Sequence, residues 1–539
     1  MSLDRSTEMP PPAVPDTRSR RIAAAVAGAV AAVVAIAVGE LAAGLVTGAP
    51  SLVIAIGDLI IDLQPPGAKD LVVDLFGTYD KLVLLVVIVA AALAIAAWAG
   101  VRAVRDFRMA AIAFVVAGGV AWFAASRQPL VDPVLAFVTV VVAVVAALVV
   151  LRSLVARVRG ARAAAGPPQP AAEMPDWDRR SFLLRSGSVA AGAVAIAAVG
   201  RTLASTSGPT QTPGGAAGGG PSSELPTAAV TAPPLPSGAS FDDVAGLTPL
   251  VVPNDDFYRI DTALIVPRVD AATWSLTVRG MVERELVLRY ADLRALPQFE
   301  QYVTIACVSN KVGEGLVGNA KWSGVRLRDV LDMAGVQAGA TQLVGRSVDG
   351  FTAGFPTAWA MDPARDPMIA LGMNGVPLPT DHGFPARLII PGLYGYVSAT
   401  KWLSSIELTT LEAFDGYWVP LGWAKEAPIL TQSRIDVPRG GQRVAAGPSA
   451  VAGVAWAPDR GVTKVEIRID DGEWLPARIS SPISDATWVQ WRADWDAAAG
   501  SHTIAVRATD GTGEVQTDRQ TPPAPDGARG HHTIRVDVG

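Results

Sequence analysis

The 539-residue chain holds one cysteine, Cys307, in the stretch QYVTIACVSNKVGEGLVGNAKWSGVRLRDVL. A lone thiol forms neither an internal disulfide nor a four-thiolate zinc or iron-sulfur site, which leaves a single metal ligand, a nucleophile or a small buried hydrophobe. Histidine is almost as scarce, with four in the chain and His382 the first of them. The apolar segments before it therefore supply no paired imidazoles for a membrane b-type haem, and one cysteine excludes a C-x-x-C-H attachment site. No haem is expected. His502, His531 and His532 lack an accompanying carboxylate or thiol cluster and read as strand surface residues rather than metal ligands.

The elements that would carry this chemistry divide sharply along the chain. Half of the residues are apolar while 18% are charged, because long apolar runs fill the N-terminal part and globular composition follows. A net charge of -5 with no basic patch sets nucleic acid aside. Four runs reach the length needed to cross a bilayer: Ile22 to Val46, Leu82 to Val101, Met109 to Ala125 and Leu130 to Leu151. Glu40 is the one charge inside them and is expected to face the bundle interior. So few charges and broken-helix patterns argue against a transport role. Arginines at 18, 20 and 21, at 102, 105 and 108, and at 152, 157, 159 and 162 assign the N-terminal tail (residues 1–21) and those loops to the cytoplasm. A weaker fifth run, residues 188–204, would carry the rest of the chain outward. With that run merely core, the large domain would stay cytoplasmic. The preceding loop, 152–187, contains Arg179 and Arg180 in RRSFLL, which resembles a twin-arginine export signal, although Asp178 and Leu184 depart from its usual residues. No A-x-A site follows, so the segment is expected to remain as an anchor.

Residues 205–240 are rich in Pro, Gly, Ser and Thr and read as a flexible tether. Residues 241–425 mix strand-like TWSLTVRGMV and ARLIIPG with helix candidates LRYADLRAL and RLRDVLDMAG, an α+β pattern. In residues 426–539 the alternation of VTKVEIRID puts Val465, Ile467 and Ile469 on one face and Lys464, Glu466 and Arg468 on the other. Similar stretches, AVAGVAWA, WVQWRADW, HTIAVRATD and HHTIRVDV, recur between turn signals. They predict an all-β sandwich, immunoglobulin-like in size though without the Cys-Trp-Cys core. The fold expected is thus an all-α transmembrane bundle, an α+β domain and an all-β domain.

Several blocks occur in an order that resembles the sulfite oxidase family of molybdopterin enzymes, particularly its bacterial exported branch: NDDFYRID, the thiol block, MNGVPLPTDHGFPARLIIPGLYGYVSATKWL and DGYWVPLGWAKEAPI, followed by the β-rich tail. The resemblance implies a molybdenum-molybdopterin cofactor with Cys307 as the one protein ligand, which agrees with a high-valent metal needing a soft anionic donor when the pterin supplies two more sulfurs. It implies that His382 and Arg387 bind the pterin phosphate, with Lys401 close by, and that Asp349 accepts hydrogen bonds from pterin nitrogens. Arg259 falls at the family's active-site arginine, with Phe257, Tyr258, Ile260 and Asp261 lining the cofactor. Tyr417 matches the active-site tyrosine or is a core residue.

Animal and plant members have NH after that arginine and GNRR after the thiolate, whereas this chain has Ile260-Asp261 and SNKV. One cationic anchor for a dianion is missing or replaced by Lys311. The function implied is membrane-anchored, two-electron oxygen-atom transfer on a small sulfur-type substrate, as sulfite oxidation or, equally, sulfoxide reduction. A non-catalytic membrane-tethered binding module is the alternative from another class. Partners implied are the membrane, a separate electron carrier and a second copy through the β-rich domain.

Overall fold

The computed structural model describes residues 17–46, 49–64, 72, 75–76, 80–128, 131–160, 176–206 and 224–539. The chain divides into two compact units, Met1–Ser207 and Gly208–Gly539.

The first unit is helical: α1 (Thr17–Leu45), α2 (Leu52–Leu63), α3 (Asp80–Ala103), α4 (Phe107–Ser126), α5 (Pro133–Gly160) and α6 (Asp176–Thr206). Within α1, α3, α4 and α5 lie four segments long and apolar enough to cross a membrane: Arg20–Leu45, Lys81–Ala103, Phe107–Ser126 and Pro133–Val158. The last begins at Pro133 rather than at Leu130. Asp132 caps it by accepting from Val134 N (2.8 Å) and Leu135 N (3.1 Å), and proline is suited to the first helical position. The 12-residue α2 lies where the sequence suggested only a loop. At about 1.5 Å per residue it is too short to span, and Ser51 starts it while donating to Glu40 Oε1 (2.5 Å). Glu40 is buried, as expected for a charge within an apolar helix. The α6 helix corrects another boundary, since it runs unbroken from Asp176 and takes in the end of the supposed 152–187 loop; its apolar stretch is Leu183–Val199. The side chains of Arg179 and Arg180 lie outside the described residues, as do residues 161–175 and 207–223. Helices α1 and α3 pack backbone to backbone, and a Cβ at Gly28 would lie 1.9 Å from the Ala96 carbonyl oxygen.

The second unit begins with an extended strap. Ala229 N donates to Gln298 O (2.8 Å) and Glu300 N to Val230 O (2.9 Å), so the strap meets a strand edge there, and the Ser237 and Gly238 carbonyls accept from Ser481 (both 2.9 Å), which ties down the end of the segment expected to be tether. Its prolines favour extended backbone, and the edge of β3 (Gln298–Ala306) offers unpaired groups. The α+β portion has two sheets. One contains β1 (Ser275–Gly280), β2 (Leu286–Arg289), β5 (Gln342–Ser347), β6 (Thr352–Pro356) and β10 (Leu403–Thr409), in the order β2-β1-β10-β5-β6. The other contains β3, β4 (Val317–Arg326), β7 (Met368–Met373) and β8 (Val376–Pro377), in that order, with β9 (Arg387–Ile389) against β7. The two helices foreseen in sequence are α7 (Tyr290–Ala295) and α8 (Leu327–Ala334). One core joins the sheets around Trp322, Leu343, Phe355 and Leu403.

The β-rich portion forms one curled sheet of eight strands, among them β11 (Gln432–Val437), β12 (Arg443–Val444), β13 (Gly447–Trp456), β17 (Gly500–Asp510) and β18 (His532–Val538). Strand β15 (Leu475–Ile479) pairs with both β14 (Val462–Ile469) and β16 (Val489–Ala497), which links two halves that a sandwich would keep apart. Val451, Val465, Ile467, Trp491 and Val506 fill its core. Glu466, placed by alternation on the polar face, is instead buried between Lys464 (2.6 Å) and Arg507 (2.9 Å). His532 corrects another expectation: it is half-buried, and its Nδ1 accepts from Ile435 N (2.9 Å). His502 pairs with Asp470 (2.8 Å) at the surface, and His531 packs edge-on against Trp474.

Candidate active site

Cys307 follows the last paired residue of β3, at the mouth of the β3–β4 hairpin. Its N–H donates to Leu316 O (2.9 Å), its carbonyl accepts from Asn310 N (3.1 Å), and Asn310 Oδ1 accepts from Leu316 N (2.7 Å), closing a tight loop behind the thiol. The thiol is buried and not disulfide-bonded.

The segment bearing Phe257 and Tyr258 is fastened onto the same hairpin. Val252 N donates to Asn319 O (2.9 Å), Asn319 Nδ2 to Leu250 O (2.9 Å), and Asn374 Nδ2 to Asn254 Oδ1 (2.8 Å). Phe257 stacks on Tyr258 (5.2 Å between ring centroids) and meets Trp322 and His382 edge-on at 5.9 and 5.7 Å. The Tyr258 hydroxyl is pushed far above the ordinary phenol pKa, first by burial and then by the nearby Cys307 thiolate, with Arg387 opposing. It remains a donor at any physiological pH.

A 3-10 turn, Thr380–His382, ends in Gly383 and feeds β9, which starts at Arg387. His382 is buried, and its Nε2 donates to Asn254 O (2.9 Å). Burial lowers its pKa to about 4 against the opposing effect of that hydrogen bond. Holding an anion through Nδ1 requires the imidazolium, which the anion's own charge would favour. Arg387 is 4% exposed, lies over the Trp322 ring (5.1 Å) and donates Nη1 to His382 O (3.1 Å). Its Nε is buried without an acceptor, and among the described residues no carboxylate pairs with it. Burial brings its pKa down to about 10, with Tyr258 opposing. A buried guanidinium left so under-satisfied calls for an anion.

Beside it Lys401 donates to Asp261 Oδ2 (2.9 Å) and to Asp381 O (3.2 Å) and lies over the Trp402 ring (4.4 Å). Burial lowers its pKa to about 8, and Asp261 restrains the fall. Arg259 reaches Asp381 (2.9 Å) and Asp261 (3.6 Å), and Ile260 is exposed. Asp349 closes the β5–β6 turn by accepting from Phe351 N (3.1 Å), and Val348 N donates to Trp402 O (2.9 Å), which sets this turn beside Lys401. Tyr417 packs at the same turn, 5.9 Å from Phe351 and 5.1 Å from Trp418. Lys311 is exposed on the thiol loop.

Two contributors escaped the sequence reading. Trp322 is the floor shared by Phe257 and Arg387. Tyr394 is buried, its hydroxyl accepts from Leu430 N (3.5 Å), and its pKa is raised by burial and further by Cys307. Both stand inside blocks already singled out, yet a buried aromatic in a motif carries no mark separating floor from core. Among the described residues no three His, Cys, Asp or Glu side chains converge as a metal site, so a metal at Cys307 would draw its other ligands from a cofactor. The single soft thiolate and the anion-seeking Arg387 suit a molybdopterin with its phosphate.

Residues 263–418 match the oxidoreductase molybdopterin-binding domain family. The chain is 30% identical over 321 residues to mitochondrial sulfite oxidase of Homo sapiens, covering 50% of this chain and 58% of that protein. It is 30% identical over 319 residues to sulfite oxidase of Gallus gallus, covering 50% of this chain and 69% of that one. The chain thus spans little more than half the length of the human relative. The sulfane dehydrogenase SoxCD of Paracoccus pantotrophus aligns at a TM-score of 0.49 and 24% identity, over 54% of this chain and 82% of that one.

Proposed function

Because the chain belongs to the sulfite oxidase family of molybdopterin-dependent oxidoreductases, we propose that it is a membrane-anchored enzyme of two-electron oxygen-atom transfer on a small sulfur-type substrate. The observation that carries this reading is Arg387, a buried cation with an unsatisfied Nε and no carboxylate partner among the described residues, beside a lone thiol. When bound, molybdenum-molybdopterin supplies the oxygen-atom-transfer chemistry. Cys307 would be the protein ligand to the metal. Arg387 and His382 would hold the phosphate, the former as a fixed donor fork and the latter as the imidazolium, with Lys401 adding positive charge. Asp349 would accept from the pterin, and Phe257, Tyr258, Ile260 and Asp261 would line it. Tyr258, kept protonated by burial, would donate a hydrogen bond beside the thiolate. Arg259 and Tyr417 would meet the substrate, Tyr417 as a proton donor.

Arg259 and Lys401 are already committed to Asp381 and Asp261, which leaves these cations poorly disposed toward a dianion. A less charged oxo-acceptor such as a sulfoxide is the second reading on that ground. The proposal also includes α6 as an anchor placing the catalytic unit on the extracytoplasmic face by the twin-arginine route, an immunoglobulin-like β-rich domain, pairing of two copies through it, and electron exchange with a separate carrier.

Elemental analysis of the purified full chain, with oxidised-pterin fluorescence, tests the reading. Wild type is expected to hold molybdenum and pterin, and Cys307→Ser to lose oxo-transfer activity while keeping the pterin. A wild-type protein free of both would leave only a tethered binding module.

A further inference from the structure

We infer that the β-rich domain is a working part of the active-site scaffold: Arg434 and His532 clamp the outer turn of the Cys307–Leu316 loop and thereby position the thiol. The inner side of that loop is closed by its own hydrogen bonds, but the outer side contains Gly313 and Gly315, which leave it soft unless something external holds it. Gly313 has φ +86, and a Cβ built there would lie 2.3 Å from His532 Cδ2, so the imidazole occupies the space next to the bare backbone. Immediately after it, the Glu314 carbonyl accepts from Arg434 Nη1 (3.1 Å).

The clamp is rigid by construction. Arg434 is 8% exposed and uses all three nitrogens: Nε on Asp436 Oδ1 (2.6 Å), Nη1 on Glu314 O and Nη2 on Thr248 Oγ1 (2.8 Å). Thr248 N in turn donates to Asp436 Oδ2 (3.2 Å), which closes a ring of interactions around the guanidinium. His532 is fixed from the same strand, because its Nδ1 accepts from Ile435 N (2.9 Å), the residue after Arg434. That bond needs Nδ1 unprotonated, and burial, reinforced by the Arg434 charge, holds the imidazole below its ordinary pKa. The strand Gln432–Val437 therefore supplies the Arg434 contact and, through Ile435 N, fixes the other, His532, which opens the strand His532–Val538. Such a loop should keep its thiol shielded and oriented before any cofactor arrives, which is what a single-ligand site requires. The ligand role of Cys307 rests on the proposed function; the clamp does not.

Cys307 is the only thiol in the chain, so its alkylation by iodoacetamide reports this loop alone. The full chain, purified in detergent from a host that makes no molybdopterin, is compared with its variants in alkylation rate and Tm. Arg434→Met is expected to raise the rate about tenfold or more through local opening. Arg434→Lys, able to reach one acceptor, should be intermediate, and His532→Asn, which keeps an acceptor, should stay nearer wild type than His532→Leu. Arg507→Met, which breaks the Glu466 pair elsewhere in the same domain, should lower Tm with an unchanged rate. A rate for Arg434→Met within about twofold of wild type, or an equal rise in Arg507→Met, overturns the clamp. If Arg434→Met does not fold, His532→Leu carries the same expectation and the same refutation. Absence of molybdenum from the wild type would end the enzymatic reading and leave these rates as they stand.

Discussion

The helical unit and the second unit differ in the balance of small and large residues they bury. In the first, Ala27, Ala31, Ala99, Ala103 and Ala147 are inside, while Val86, Ile95, Val115, Phe123 and Val149 face outward. In the second, Trp322, Trp402, Trp488 and Trp491 are inside. Water drives large apolar groups inward, so an exterior of Val, Ile and Phe is stable only where the surrounding medium is itself apolar; association then depends on close backbone approach through small residues. The contrast fits a chain that carries helices long and apolar enough to cross a membrane and, after them, a unit with a water-facing exterior and a large-side-chain core. It also locates the sensitivity to mutation: side-chain volume should matter inside the second unit, and its absence should matter where helices of the bundle approach backbone to backbone.

The sharpest test of that contrast is Trp322→Ala, which removes the floor under Phe257 and Arg387. It should cost about 3–5 kcal/mol, read as a loss of near-UV circular dichroism at lower urea, with the helical signal of the bundle retained. Loss of both signals together would mean that the units do not unfold separately.

A pH series on the full chain, purified from a host that makes no molybdopterin so that no phosphate holds His382 charged, comes next. His382 has a pKa of about 4 when folded and near 6.5 when unfolded, so the unfolded state binds the extra proton between those values. Its contribution is present above pH 6.5 and is lost as pH falls toward 4, up to about 3 kcal/mol. His382→Gln should flatten the slope in that window. An unchanged slope would assign the acid sensitivity to other groups.

In the bundle the expected sign of volume reverses. Gly28→Leu has no room against the Ala96 carbonyl and should destabilise the α1–α3 contact by about 1–3 kcal/mol, seen as a lower Tm in detergent. Val145→Ala, a truncation of an outward-facing residue, should change stability by less than about 0.5 kcal/mol. A Val145→Ala loss as large as that of Gly28→Leu would mean that this surface is packed rather than solvated by hydrocarbon.

The sequence carried most of the architecture for reasons of periodicity. Long apolar runs revealed the four helices long and apolar enough to cross a membrane, and alternation revealed β14, β16 and β17 (Gly500–Asp510). Short elements were illegible: Leu52–Leu63 is too brief to look like a span, and Leu475–Ile479 contains a proline and little alternation. The strap over 224–240 read as tether because its composition forbids a core, and composition is blind to a strand edge elsewhere that accepts it. Glu466 and His532 were misjudged alike, since alternation assigns a face while their partners, Arg507 and Ile435, come from other strands.

By itself the sequence determined the lone thiol, the absence of histidine before His382 and the four segments apolar enough to cross a membrane, because these are properties of residue identity and order. Only the tertiary structure decided that Arg387 lacks a counter-charge among the described residues, that Arg259 and Lys401 are spent on Asp381 and Asp261, and that a strand more than a hundred residues beyond Cys307 grips its loop. Those are matters of distance between segments remote along the chain, and no local pattern encodes distance.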